Sequence, residues 1–220
     1  MFAVYFDDMI NKRQPKPALK HDIAEIVPDT TALKALAHPE RLRMLGLLRV
    51  EGPATSTSLA KRLGLNSGAT SYHLRKLAEH GFIETAPELG NNRERWWRSK
   101  HDMTVFDASE KSGDALEAGL AMSQAVISQH MEHIQRALGQ YRSLPTSWRK
   151  MSTANDIVIP VTEDEAREVS KALMTTLRDA NARYPRQDAP LPSGTRNFMI
   201  VLHTFPFPEL SSLAIDDNEQ

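Results

Sequence analysis

The apolar residues between positions 30 and 80 recur every three or four positions, which is the spacing of amphipathic helices. A cluster of Leu33, Leu36 and Ala37 predicts a short first helix. Pro39 predicts a break and the start of a second helix, because proline suits the first turn of a helix and disrupts its interior. Two more helices are predicted over residues 56–63 and 67–80.

The last two of these helices have recognisable ends. Thr55 and Ser67 are the predicted N-caps, because their hydroxyl groups can accept a hydrogen bond from the first helical turn. Gly64 supplies the turn between the helices, and Gly81 follows the second of them in the position that glycine favours. The spacing therefore predicts a helix-turn-helix.

A two-stranded wing is predicted directly after the second of these helices. Residues 82–85 and 95–99 are strand-like, and the polar stretch 88–93 between them is rich in turn residues. Trp96 and Trp97 occupy adjacent positions of the second strand, so we expect them to point to opposite faces, one of them into the core.

The longest helical pattern spans residues 113–142. Its apolar positions follow a nearly heptad spacing, interrupted at Ser123, which favours a partner helix and predicts a dimer seam. The alternative is a helix that packs on its own domain, as most amphipathic helices do. The predicted seam consists of Leu116, Leu120, Ile127, Met131, Ile134 and Leu138, and Tyr141 continues it.

The C-terminal part of the chain predicts a β-α-β block. Residues 157–161 read as a strand, and Thr162 with Glu165 fits a capping box at the start of a helix. Residues 198–202 read as a second strand. The stretch from Glu209 is acidic and polar, and we expect it to be frayed.

The fold class predicted from these elements is mainly α, within an α+β arrangement. It comprises a winged helix-turn-helix domain, a long dimerisation helix and a small C-terminal β-α-β block. The predicted boundaries are 1–28 for an N-terminal arm, 29–101 for the winged domain, 102–145 for the dimerisation helix, 146–208 for the β-α-β block and 209–220 for the tail.

Composition narrows the classes of protein. Apolar residues make up 40% of the chain and charged residues 25%, as in ordinary globular proteins. The absence of cysteine excludes disulfides, thiolate metal sites and cysteine nucleophiles. No apolar run approaches the about 20 residues needed to cross a bilayer, and acidic residues follow FAVYF near the N-terminus. We therefore expect a cytoplasmic protein without membrane contact.

Charge is distributed unevenly along the chain. Residues 29–101 hold 12 basic and 7 acidic side chains, whereas residues 102–220 hold 11 basic and 17 acidic ones. A basic segment beside an acidic one suggests that the basic segment meets a polyanion.

The helix over 67–80 has the features of a helix that reads DNA. Short polar side chains near its start can approach base edges, and Gly68 lets the backbone come close to a duplex. Free N–H groups of its first turn favour a phosphate oxygen. The expected contact residues are Ser67, Gly68, Ala69, Thr70, Ser71, His73, Arg75 and Lys76, and in the wing Asn91, Asn92, Arg93 and Arg95 beside a minor groove.

Three runs of residues resemble the winged helix-turn-helix of the ArsR-type bacterial transcriptional regulators. They are LKALAHPERLRMLGLL, SLAKRLGLNSGATSYHLRKLAEHGFIE and RERWWR. The resemblance implies a homodimer, acting as a repressor, whose two recognition helices enter successive major grooves of an operator. Carried over position by position, the implied DNA contacts are Ser67, Thr70, Ser71, Tyr72, His73 and Arg75, with Asn92, Arg93 and Arg95 in the wing.

Metal sensing is not expected. His130 and His133 lie three residues apart on the long helix, a spacing that can hold a metal. In the short metal sensors that this chain resembles, an aspartate and a histidine stand about ten residues upstream, where this chain has Gly119 and Leu120. We expect solvated or interface histidines, no metal and no cofactor.

No arrangement of side chains indicates an enzyme, because the sequence has no nucleophile–base pattern, phosphate-binding glycine loop or paired carboxylates in a catalytic context. The favoured hypothesis is a regulator that binds double-stranded DNA. The alternative is a winged-helix module for protein interaction. A weaker idea is a small-molecule effector site lined by Trp148, Phe198, Phe205 and Phe207.

Overall fold

The computed structural model of the chain describes residues 24–90, 94–185 and 191–208. Most of the predicted N-terminal arm and all of the predicted acidic tail lie outside these ranges. The predicted helices are confirmed, and where the sequence predicted bounds they agree to within two residues. The predicted helices are α1 (Thr30–Leu36), α2 (Pro39–Glu51), α3 (Ser56–Leu63), α4 (Ser67–Glu79), α5 (Gly113–Gln140) and α7 (Glu163–Arg183); the short helix α6 (Thr146–Arg149) was not predicted.

Short strands connect these helices. The predicted wing strands are present and pair in antiparallel fashion, with Glu84 opposite Arg98. A third strand, which the sequence did not predict, adds to their sheet, and a separate parallel pair joins the start of the described chain to the residues before α5. The strands are β1 (Glu25–Ile26), β2 (Ala54–Thr55), β3 (Ile83–Thr85), β4 (Trp96–Ser99) and β5 (Met103–Thr104), in the orders β2-β4-β3 and β1-β5.

The hydrophobic core lies between the helices and the three-stranded sheet. Leucines from α1, α2, α3 and α4 meet there, together with an aromatic residue from each side of the wing. Each fully buried leucine contributes about 1.5–3 kcal/mol relative to an exposed one. The central residues of the hydrophobic core are Leu33, Leu36, Leu45, Leu48, Leu59, Leu74, Leu77, Phe82 and Trp97.

Helix α5 has two different faces. Ala118 and Met122, in its first half, are buried in the core of the winged domain. Gly119 lies under the ring of Phe106, so close that a Cβ there would overlap the ring. The core therefore extends across residue 101, where the sequence suggested a boundary, because α5 supplies one of its walls.

The opposite face of α5 is exposed to solvent. Five of the six predicted seam residues are exposed, while Leu116 is half-buried. We call the exposed set the α5 stripe; it consists of Leu120, Ile127, Met131, Ile134, Leu138 and Tyr141.

The predicted β-α-β block is wrong in its strands. Residues 157–161 and 198–202 form no strand and belong to none of the sheets of the described residues, whereas the helix between them, α7, is present with the predicted capping box. In that box the Thr162 side chain accepts from the Glu165 N–H, and the Glu165 side chain accepts from the Thr162 N–H. The helix forms from local signals, but a strand needs a neighbouring strand to pair with its backbone.

Among the residues that the structure describes, two polar side-chain contacts connect this C-terminal part to the rest of the chain. Arg178 of α7 forms an ion pair with Glu25 of β1 at 3.1 Å. The ring nitrogens His130 Nδ1 and His203 Nε2 lie 3.1 Å apart, which places the segment after residue 195 beside α5. None of the helices in the described ranges is long and apolar enough to cross a membrane.

Candidate nucleic-acid interface

The helix-turn-helix is formed by α3, α4 and the tight turn between them. Thr55 caps α3 as predicted, accepting a hydrogen bond from the Ser58 N–H at 3.2 Å. Gly64 has a φ of 68°, a left-handed conformation that glycine adopts without strain. The Leu65 N–H then donates to the carbonyl of Ala60 at 3.0 Å, which closes the turn. These local bonds fix the direction in which α4 leaves the turn.

The N-cap of α4 is Asn66, so the prediction of Ser67 was wrong by one position. The Asn66 Oδ1 accepts from the Ala69 N–H at 2.7 Å, and Ser67 is the first helical residue. Asparagine is as good a cap as serine, and the choice between adjacent candidates depends on where the turn places them. The Ser67 hydroxyl is consequently free of the capping role and stands on the exposed start of the helix.

One face of α4 is exposed and polar. Gly68, Tyr72, Arg75 and Glu79 lie along it at helical spacing, and Tyr72 is 49% exposed. Leu74 and Leu77 lie on the opposite face in the core. The predicted contact residues that are exposed or half-exposed on α4 are Ser67, Gly68, Ala69, Ser71, Tyr72, His73, Arg75 and Lys76.

Thr70 does not belong to this surface, which corrects the prediction. Its relative exposure is 0%, and its hydroxyl donates to the carbonyl of Asn66 at 3.0 Å. A buried hydroxyl keeps such a partner because leaving it unpaired costs about 1–3 kcal/mol. Thr70 therefore anchors the first turn of α4 from the inside.

His73 contacts the start of α2, which the sequence analysis did not anticipate. Its ring lies 4.5 Å from the ring of His38, centroid to centroid, and 5.5 Å from the ring of Tyr72. His38 is the N-cap of α2, since its Nδ1 accepts from the Glu40 N–H at 3.2 Å. Arg41, one turn further along α2, donates to the carbonyl of Ala35. His73 thus braces α4 against the α1–α2 junction.

This surrounding lowers the pKa of His73 below its ordinary value. Burial is the main cause, and the neighbouring His38 and Arg41 act in the same direction, while Glu40 opposes them. The His73 Nδ1 is buried without a hydrogen-bond partner in the described chain. The neutral form of the ring is therefore favoured, and His73 contributes a polar but uncharged ring to the surface of α4.

Some arginines of the wing are engaged by other side chains, so fewer of them are available to bind DNA than the sequence suggests. Arg98 is engaged by two carboxylates, with its Nε 2.8 Å from Glu84 Oε1 and its Nη1 2.6 Å from Glu88 Oε1. Arg95 is exposed and its guanidinium lies 5.5 Å from the centroid of the Trp97 ring, within the range of a cation–π contact. Asn91, Asn92 and Arg93 lie outside the described residues.

The two tryptophans of β4 behave as predicted. Trp97 is buried in the core, and Trp96, on the other face, is half-buried beside Pro87 and Gly90 at the base of the wing. Their alternation fixes the register of β4, because a shift by one residue would expose Trp97. The wing is thereby held in a defined position next to α4.

The histidines of α5 form no recognisable metal site. Within residues 24–90, 94–185 and 191–208, no three side chains from His, Asp and Glu gather as metal ligands. His130 instead faces His203. The pKa of His130 is lowered, first by burial and then by His203 and His133.

The aromatic residues suggested as an effector pocket are not enclosed. Phe198, Phe205 and Phe207 are all exposed, with Phe205 at 71%. Trp148 is half-buried, and the guanidinium of Arg196 lies 6.0 Å from its ring centroid. A single chain therefore provides no cavity lined by these four side chains.

Sequence reasoning missed three residues that shape this surface: His38, Arg41 and Asn66. Asn66 could have been found, because asparagine is a favoured N-cap. Nothing in the spacing indicated that His38 and Arg41 meet α4, since that contact joins residues more than thirty positions apart.

Comparison with known proteins places a domain over this region. Residues 36–86 match the family described as a helix-turn-helix domain. The match covers α2, α3, α4 and β3, which are the elements that present the exposed face of α4. The chain therefore contains a helix-turn-helix domain.

Two curated proteins are similar to part of the chain. The nodulation protein NolR of Rhizobium meliloti is 39% identical over 77 residues, which are 35% of this chain and 61% of that protein. The HTH-type transcriptional regulator YgaV of Escherichia coli (strain K12) is 36% identical over 53 residues, 24% of this chain and 54% of that protein. The chain thus spans little more than half the length of these relatives.

A solved structure is also matched, that of a ZitR mutant from Lactococcus lactis in apo form. The sequence identity is 18% and the TM-score is 0.29, over 66% of this chain and 83% of that one. At this TM-score the match says nothing about how the parts of the chain are arranged.

Proposed function

We propose that this protein is an ArsR-type transcriptional regulator that binds double-stranded DNA sequence-specifically as a homodimer. Helix α4 enters the major groove, the wing lies near the minor groove, and binding represses transcription. The observation that carries the proposal is the exposed polar face of α4, held on a buried helix-turn-helix core.

The shape and chemistry of α4 suit a major groove. An α-helix fits this groove, where each base pair presents a distinct set of donors and acceptors. Arg75 is exposed and suits the O6 and N7 atoms of guanine, while Ser71 and Tyr72 can reach other base edges or phosphates. Ser67 and the free N–H groups of the first turn suit a phosphate oxygen.

Gly68 supports the same orientation. A Cβ at this position would come no closer than 3.4 Å to Asn66 Oδ1, so nothing among the described residues forces glycine there. Glycine in a helix costs up to about 1 kcal/mol relative to alanine. A DNA duplex that approaches the first turn of α4 closely would explain why position 68 holds glycine, which has no side chain to block the approach.

The two relatives support a role in gene regulation. One of them is named an HTH-type transcriptional regulator, and the aligned stretches cover 35% and 24% of this chain. The positive charge of residues 29–101 suits the same partner, because lysines and arginines displace counterions from DNA.

The proposed dimer uses the α5 stripe. Ile127, Met131 and Ile134 are exposed at helical spacing on the face of α5 that points away from the core. A second copy packed along the same stripe would cover it symmetrically. Two-fold symmetry would then present two α4 helices to half-sites spaced by one helical turn of DNA or a multiple of it.

DNA binding is tested by selection of duplexes from a random library, followed by titration of the selected duplex. We expect Arg75→Ala to weaken binding by about 1–3 kcal/mol if Arg75 contacts a guanine. Arg167→Ala is the matched control, because Arg167 lies on α7 and pairs with Glu163 and Asp164. Equal affinity of the two variants would remove Arg75 from the contact set.

The same selection distinguishes the alternative function. A module that binds only proteins would select no duplex, and its residual DNA affinity would be equal for all sequences and disappear as salt rises. Repression is tested separately, with a reporter gene behind the selected operator. An increase of reporter expression on adding the protein would contradict the repressor assignment.

The dimer is tested by sedimentation of single-site variants. Ile134→Asp places a charge in the α5 stripe and should produce monomers. Ser128→Asp is the control, because Ser128 is exposed on the same helix and lies outside the stripe. Dimerisation that is unaffected by Ile134→Asp would exclude this stripe as the interface.

A further inference from the structure

The two segments without secondary structure that flank α7, residues 157–161 and 198–202, carry many exposed apolar side chains. Ile157 is 82% exposed, and Val158, Ile159 and Val161 follow it. In the second segment Phe198, Met199 and Ile200 are exposed as well. Contiguous apolar surface of this kind marks an interaction site in a protein that stays in solution.

The backbone of these segments is also unpaired. Within the described chain, residues 157–161 and 198–202 make no backbone hydrogen bonds. Both segments consist largely of β-branched, aromatic and other apolar residues, which favour strands. Whatever covers them must therefore supply backbone N–H and C=O groups as well as apolar contacts, which is what another strand does.

Neither segment carries the charged side chains that usually protect an exposed strand. Natural edge strands carry charges, often lysine, that discourage pairing with another chain. Residues 157–161 and 198–202 contain no charged side chain. Pro160 lacks an N–H and restricts the first segment to the edge of a sheet, whereas the second segment contains no proline and can pair on both sides.

The position of the second segment, residues 198–202, indicates that a second copy of this chain pairs with it. His203 follows directly on residues 198–202 and touches His130, which precedes Met131 of the α5 stripe. The segment therefore lies beside the face that the proposed dimer uses. A second copy on that face would bring its own residues 198–202 to the same place, and two identical strands related by a two-fold axis pair in antiparallel fashion.

We propose that residues 198–202 of two copies pair as antiparallel strands across the two-fold axis. This proposal rests on the homodimer proposed above and adds a second interface to it. The strand predicted over residues 198–202 would then form only between two copies, because within one chain this segment has no strand partner among the described residues.

Disulfide scanning tests this arrangement directly, because the chain has no cysteine of its own. Single cysteines are placed at each position from 197 to 204 in the full chain, and each variant is oxidised and run without reductant. An antiparallel pair on a two-fold axis brings only the residue at its centre opposite its own copy. We expect the monomer to be lost at one position, and to persist at positions two or more residues away.

A cysteine in the α5 stripe, Ile134→Cys, reports on the proposed dimer in the same experiment. Crosslinking at residue 134 without crosslinking anywhere in 197–204 overturns the strand pairing and leaves the dimer intact. Equal crosslinking at all eight positions also overturns it, because that pattern indicates random collisions. Monomers at every concentration in sedimentation overturn both proposals.

Amide hydrogen exchange provides the second measurement, on the unmodified chain. Amides of residues 198–202 should be protected at high protein concentration and lose that protection on dilution, together with the dimer. Protection that persists in the diluted monomer would overturn the proposal and indicate that the segments pair within one chain. Fast exchange at every concentration at which the dimer persists would overturn it as well.

Discussion

The winged domain and the C-terminal part use the same kind of sequence pattern and reach opposite outcomes. Helix α4 has apolar residues on one face, and Leu74 on that face is fully buried. Helix α7 also has an apolar face, yet Leu173 on it is 39% exposed and α7 has no buried residue. Periodicity shows which face of an element must be covered, but not which element will cover it.

The two regions also differ in what holds their elements in place. The winged domain joins α1, α2, α4 and the first half of α5 around one core. In the described residues, the C-terminal part is held by the capping box of α7, the Arg178–Glu25 ion pair, the contact of His203 with His130 and the approach of Arg196 to Trp148. Exposed ion pairs contribute about 0–1 kcal/mol, so these contacts position the segment and cannot replace a core.

The largest expected effect comes from removing a leucine in each region. Leu74→Ala opens a cavity in the core and should lower the free energy of unfolding of the winged domain by about 2–5 kcal/mol. Leu173→Ala, the matched substitution on α7, should cost much less in dilute solution. Urea denaturation followed by tryptophan fluorescence measures both, and equal losses would contradict the contrast between the two regions.

A smaller effect is expected where α5 changes from core to surface. Gly119→Ala forces a Cβ into the ring of Phe106 and should cost about 1–3 kcal/mol. Gly139→Ala is the control on the same helix, because a Cβ there would meet nothing within 4 Å. Alanine should be neutral or slightly stabilising at that position. Thermal unfolding compares them, and a neutral Gly119→Ala would show that Phe106 can move away.

The two capped helices offer a sharper comparison. Asn66→Ala removes the cap of α4 and should cost the winged domain about 0.5–2 kcal/mol. Thr162→Ala removes the corresponding cap of α7 and should reduce only the helical content measured by circular dichroism. Ser67→Ala, one residue from the true cap, is the control. If Ser67→Ala costs more than Asn66→Ala, the assignment of the cap is wrong.

The smallest expected effect is a dependence of stability on pH. Burial lowers the pKa of His73 and of His101 below the ordinary 6.5, so the folded state binds protons less readily than the unfolded chain. The contribution of these two neutral rings to the free energy of unfolding should be fully present above about pH 6.5 and should decline as the pH falls below it. The free energy of unfolding, measured by denaturation at several pH values, should depend less on pH in the double variant His73→Gln, His101→Gln. An unchanged pH dependence would exclude these two rings as its cause.

Much of the winged domain follows from sequence because its signals are local. Thr55, Pro39 and Gly64 each act on backbone within a few residues of themselves. The helices and wing strands that these signals predict are present. Most of the predicted contact residues of α4 are exposed for the same reason, since burial follows the helical period. Thr70 obeys the same period, because it lies four and seven residues before Leu74 and Leu77 on the buried face, so the spacing could have excluded it from the contact set.

The amino-acid sequence by itself determined the longer helices and the polar face of α4, because each depends on residues within about one helical turn. The choice of Asn66 over Ser67 as the cap of α4 depended on the turn before the helix. The tertiary structure alone decided what spans long distances: the contact of His73 with His38, the burial of Ala118 and Met122 under the winged domain, and the choice of α5 face left exposed. It also left residues 157–161 and 198–202 without strand partners. Local bonds can form a helix, whereas a strand or a core needs a second surface, and neighbouring residues do not specify where that surface comes from.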